Sequence, residues 1–173
     1  MKRGAGPRIF RVLVPVKNLE RSQRFYESLF GTSGRPVGGG RVYFDCGSTI
    51  FGLLDPAAEG TEQLRTVPEP VYFATAELEK VHRRAKKLRC LSPARIHGGD
   101  PAGEIVVRPW GERSFYAQDP SGNPLCFVDE ETLFMGSPRQ VRALYRAFQS
   151  SVASAPSAKV RRPRTRRRHA KPT

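Results

Sequence analysis

Apolar residues at helical spacing first gather between positions 19 and 30, where Phe25, Tyr26, Leu29 and Phe30 form one stripe. Asn18 suits the start of this helix as a cap, and Gly31 its end. A second helix is predicted over 77–89, with Leu78, Val81, Ala85 and Leu88 on one side and Arg83, Arg84, Lys86 and Lys87 on the other. Ser137-Pro138 opens a third, over 137–149, whose buried face would comprise Val141, Leu144, Tyr145 and Phe148.

Strand-like runs occupy the intervals. Residues 9–16 precede the first helix, and 41–46 and 49–54 follow it, joined by the two-residue turn Gly47-Ser48. Residues 70–75 precede the second helix, and 104–108, 112–118 and 124–129 complete the set. Asp119-Pro120-Ser121-Gly122 is a strong turn signal: proline presets φ and glycine takes the position with φ > 0.

The order of these elements repeats. Asn18-Leu19-Glu20-Arg21 recurs as Glu77-Leu78-Glu79-Lys80 at an offset of 59 residues, each time after a short apolar strand and at the start of a helix. The expected fold class is α+β: two βαβββ modules forming a partly closed, cavity-bearing mixed sheet, plus a C-terminal helix. The expected segments are a flexible start (1–7), a first module (8–55), a linker (56–69), a second module (70–131), the helix (137–149) and a disordered basic tail (150–173).

Charge changes this picture only at the end of the chain. Of the net +14, eight units fall on residues 159–173, which hold no acidic residue, leaving +6 for the rest. Weak, non-specific polyanion binding is the most such a tail implies, since no aromatic residue is interleaved for base stacking. Cys46, Cys90 and Cys126 form no CxxC pair, which speaks against a disulfide framework or a zinc knuckle. With no apolar run near ~20 residues, no membrane span is expected, and a cytoplasmic location is the expectation.

Residues 8–131 resemble the vicinal-oxygen-chelate superfamily, which includes glyoxalase I, extradiol dioxygenases, fosfomycin-resistance enzymes and bleomycin-binding proteins. The resemblance is carried by Asn18-Leu19-Glu20-Arg21-Ser22 with Phe25-Tyr26 and Leu29-Phe30-Gly31, by Trp110-Gly111-Glu112-Arg113-Ser114-Phe115-Tyr116, and by Asp119-Pro120-Ser121-Gly122-Asn123-Pro124. It implies a divalent metal held by His or Glu on the first and last strand of each module. The matching positions are Arg11, Gly52, Pro70 and Cys126, which offer one thiol and no imidazole or carboxylate. His82, His97 and His169 stand at no ligand spacing. The expectation is a metal-free member that needs no cofactor and pairs as a homodimer.

Strand alternation then selects the candidate ligand-binding residues. Phe115 and Ala117 should face the helices, which turns Glu112, Ser114 and Tyr116 toward a cavity. Arg11, Leu13, Tyr72 and Cys126 follow by the same rule, and Trp110 sits at the mouth. Arg11, expected to be buried, would need an anionic partner, either Glu112 or an anionic ligand. Cys126 lacks a histidine to activate it as a nucleophile. No catalytic residue is assigned. A small-molecule-binding protein is weighed against a metal-dependent lyase or dioxygenase and against a nucleic-acid-associated protein acting through its tail.

Overall fold

A computed structural model describes residues 9–60, 66–96 and 99–153. The first module runs β1 (Arg11–Pro15), α1 (Leu19–Phe30), β2 (Arg35–Gly38), β3 (Arg41–Cys46) and β4 (Thr49–Leu54). After a 3₁₀ turn at Pro56–Glu59 come β5 (Val71–Thr75), α2 (Leu78–Lys87), the short pair β6 (Arg95–Ile96) and β7 (Asp100–Pro101), then β8 (Val106–Val107), β9 (Arg113–Gln118) and β10 (Pro124–Asp129). The sheet orders are β1-β4-β3-β2 and β5-β10-β9-β8, each with one parallel and two antiparallel pairings. The two sheets stay separate rather than closing into one, while the α+β class and the duplicated order are as expected.

Local chemistry accounts for α1. The Asn18 side chain accepts a 2.8 Å hydrogen bond from the Arg21 amide, and Gly31 closes the helix at φ +74°. α2 begins differently, because Glu77 makes no side-chain cap; instead Thr75 accepts from the Glu77 amide at 3.1 Å. β2 is absent from the sequence reading. It contains Pro36 and borders glycines, features tolerated only at a sheet edge, which is where it lies.

The inner faces of both sheets and both helices share one core. Phe30 of α1 contacts Phe51 of the first sheet and Phe73 and Phe127 of the second, with ring centroids 5.1–6.4 Å apart. Such contacts make each module the lid of the other's hydrophobic face. Polar groups add a second joint at the Asp119–Asn123 turn. Lys17 donates its amide to the Ser121 hydroxyl at 2.9 Å, and Asn123 donates its side-chain amide to the Pro15 carbonyl at 2.9 Å.

The C-terminal unit consists of α3 (Pro138–Ala153), which outruns the expected end at 149. Ser137 accepts from the Gln140 amide at 3.3 Å, as a cap should. Tyr145, placed on the buried face of α3 by the helical spacing, is exposed. The expected flexible start (1–7) lies outside the described residues, as does the expected basic tail (150–173) from residue 154 onward, whereas 150–153 continue α3. No helix among the described residues is long and apolar enough to cross a membrane.

Candidate functional site

The two modules carry the same backbone register. Leu13 on β1 pairs with Gly52 on β4, and Tyr72 on β5 pairs with Cys126 on β10. On the neighbouring strands Tyr43 lies opposite Gly52 and Tyr116 opposite Cys126. Leu13 therefore corresponds to Tyr72, Gly52 to Cys126, and Tyr43 to Tyr116. These side chains lie on the sheet faces turned away from the helices, as the burial of Phe115, Ala117 and Phe127 in the core requires.

In the second module this face is a cluster. Tyr72 meets Tyr116 edge-on at 6.5 Å between centroids, with Cys126 and Ser114 fully buried alongside. Burial, followed by hydrogen bonding with Tyr72, raises the Tyr116 hydroxyl well above its ordinary pKa. Burial also pushes the Cys126 thiol up to about 12, partly offset by hydrogen bonds with Tyr116 and Ser114. Neither group is ionised near neutral pH, so this arrangement supplies hydrogen-bond donors rather than a base or a thiolate.

Arg108, a residue the sequence reading did not select, dominates the cluster. Its side chain is 1% exposed, and its Cζ lies 5.3 Å from the Tyr116 ring centroid. Nε donates to the Ser114 hydroxyl at 3.0 Å, and Nη2 donates to the Ser114 carbonyl at 2.9 Å and to the Ala102 and Glu104 carbonyls at 3.4 Å. Nη1 has no hydrogen-bond partner. The missed signal was parity: Arg108 pairs across the Trp110-Gly111 turn with Glu112, donating its amide to the Glu112 carbonyl at 2.7 Å. That register gives Arg108 the same face as Ser114.

Arg11 departs from expectation. It is exposed, with its guanidinium bonded to the Tyr43 hydroxyl and lying over the Phe10 and Tyr43 rings. β1 is an edge strand with its outer face uncovered, so no desolvation forces an anionic partner on Arg11. Glu112 is committed elsewhere: one carboxylate oxygen accepts from the Trp110 indole at 2.6 Å and the other from the Phe134 amide at 2.9 Å. Arg11 and Leu13 instead share an open hollow of about 510 Å³ with Val37, Gly38, Gly39, Arg41 and Tyr43. The second-module residues take no part in its described wall, so the eight candidates form two groups.

At the four positions that the resemblance marks out, Arg11, Gly52, Pro70 and Cys126 offer a divalent ion one thiol and no imidazole or carboxylate. Gly52 has no side chain to offer, and the space that a Cβ there would enter is taken by Leu13 Cδ2 at 2.5 Å. Sliding the alignment by two residues along the first strands replaces Arg11 and Pro70 with Leu13, which has no donor atom, and Tyr72, which offers one phenol oxygen but no imidazole or carboxylate. Among the described residues no three His, Cys, Asp or Glu side chains converge in a metal-binding group. His82 faces the Gly103 carbonyl at 2.9 Å and the edge of Phe115. His97 and His169 lie outside the described residues.

Comparison with solved structures settles the architecture. A glyoxalase/bleomycin resistance protein from Albidiferax ferrireducens T118 superposes at TM-score 0.52 with 23% identity, over 70% of this chain and 98% of that one. A glyoxalase-related enzyme from Fulvimarina pelagi does so at TM-score 0.56 with 16% identity, over 75% and 93%. A lactoylglutathione lyase from Agrobacterium tumefaciens gives TM-score 0.50 with 20% identity, over 72% and 94%.

The chain has the vicinal-oxygen-chelate fold.

No protein-family model and no curated protein sequence matches it. Within the vicinal-oxygen-chelate fold, the face bearing Tyr116 and Cys126 is formed by the second βαβββ module and that bearing Arg11 by the first.

Proposed function

We propose that this protein binds a small organic molecule on the outer face of the second sheet, without a divalent metal. The observation that supports this most is the polar cluster of buried Arg108, Ser114 and Cys126 with half-buried Tyr116, on a sheet face that the core does not use. Small-molecule sites combine a few such polar groups with aromatic walls. Tyr72, 57% exposed, forms the accessible wall, and Trp110 and Glu112 form a clamped turn at the rim.

The first-module residues Arg11 and Leu13 enter the same reading through a homodimer. Leu13 and Tyr72 are equivalent in the repeat and are both exposed. A second copy that lays its first-module face against this second-module face would cover both and bring Arg11 toward the cluster. Weak polyanion association through residues 159–173 rests on their charge alone. A cytoplasmic setting suits a chain with free thiols at Cys46, Cys90 and Cys126.

The test is a thermal-shift screen of neutral and anionic metabolites and antibiotics, run with and without EDTA, on wild type and Tyr72→Ala. The expected result is a stabilising compound that is indifferent to EDTA and loses its effect in the variant. Hits that all require a divalent ion, or that all stabilise Tyr72→Ala equally, would refute the proposal.

A further inference from the structure

We propose that Arg108 is the anchor for an organic monocarboxylate, one oxygen of which binds at Nη1. This rests on the small-molecule reading of the same face and adds the chemical class of the ligand. Three observations lead to it.

First, the guanidinium is buried, and every nitrogen but Nη1 is hydrogen-bonded. A buried N–H of a charged group without an acceptor is costly, so this atom is set to receive one. Second, the bonded nitrogens fix how a ligand can approach. Nε and Nη2 are held by Ser114, Ala102 and Glu104, which leaves one nitrogen rather than a two-pronged edge. A single oxygen fits there; the bidentate grip typical of arginine does not. Third, the nearest carboxylate already faces this atom without bonding to it. Asp100 Oδ2 lies 3.9 Å from Nη1, an ion pair beyond hydrogen-bond reach, and the Asp100 side chain is part-exposed.

The charge balance selects the class. Asp100 and Glu112 are both close to the cluster, and one guanidinium cannot offset a dianion as well. A phosphate is therefore disfavoured against a carboxylate of single charge. The Tyr116 ring beneath Arg108 and the exposed Tyr72 beside it suit an organic body of aromatic or aliphatic character.

Acetate and benzoate, with acetamide and benzamide as neutral matches, are the probes for isothermal titration against the full-length protein. Both carboxylates should bind wild type in preference to the amides. Asp100→Asn should tighten their binding by roughly tenfold, because a competing like charge is removed. Arg108→Met should abolish it. Asp100→Asn alters a part-exposed side chain, so the proposal remains testable even if Arg108→Met does not fold. Failure of both carboxylates to bind wild type and Asp100→Asn would overturn it, as would an affinity unchanged by Asp100→Asn. Equal binding of amides and carboxylates would remove the anchor while leaving a small-molecule site in place.

Discussion

The Tyr26 hydroxyl donates a 2.9 Å hydrogen bond to the Asp119 carboxylate, joining α1 to the turn between β9 and β10 across 93 residues of chain. Both groups are buried, and Asp119 also accepts from the Ser121 and Asn123 amides at 2.8 Å. The modules are thus fastened by a polar bond set within an apolar interface. Burial, and then the Asp119 charge, hold the Tyr26 hydroxyl well above its ordinary pKa.

Tyr26→Phe keeps the ring and removes this donor. The expected loss is about 1–3 kcal/mol of unfolding free energy, the usual cost of leaving a buried acceptor short. Urea denaturation checks it. A loss below the error of the fit would mean that the bond contributes no net stability.

Gly31 ends α1 at φ +74°, and the Arg84 guanidinium occupies the space that a Cβ there would fill while donating to the Phe30 carbonyl at 2.9 Å. Gly31→Ala should therefore cost more than the roughly 1 kcal/mol typical of a left-handed alanine. The excess over that value, read by thermal or urea unfolding, measures the displaced Arg84 contact. In the background Arg84→Ala the excess should vanish.

Arg89 is the sole non-glycine residue with positive φ among those described, at +55°, and it sits just past α2 where helices favour glycine. Arg89→Gly should raise stability by up to about 1 kcal/mol. A fall in the melting temperature would show that the arginine side chain does more than occupy the position.

Cys126 sets a pH dependence. An unfolded thiol titrates near 9, whereas burial pushes the folded one up to about 12. The protonated form is the one the fold accepts, so its stability contribution is intact below pH 9 and is lost as pH rises toward 12. In that window unfolding free energy should fall by up to about 1.4 kcal/mol per pH unit from this group. Cys126→Ala should flatten the curve relative to wild type. Parallel curves for the two proteins would contradict the burial.

Legibility in the sequence followed the kind of force at work. α1 was readable end to end because Asn18, the aromatic stripe and Gly31 act locally. Alternation likewise assigned Phe115 to the core and Tyr116 to the opposite face. β2 escaped because Pro36 and the nearby glycines carry no alternating signal, and only an edge position makes them strand residues. The arginines were misjudged for a long-range reason. Arg11 sits among apolar neighbours on an uncovered edge strand, whereas Arg108, also flanked by apolar residues such as Val106, Val107 and Trp110, is folded inward by its hairpin. Burial there depends on which other strands cover the face, and no local window contains that.

The matched register of Leu13 with Gly52 and Tyr72 with Cys126 bears on stoichiometry. The matched register gives two comparable sheet faces, but among the described residues a buried cation backed by hydroxyls and a thiol lies on the second, whereas the first presents an open hollow in which Leu13 covers Gly52. Each polypeptide should accordingly hold one guest molecule rather than two, and even a paired assembly should saturate at one equivalent per chain.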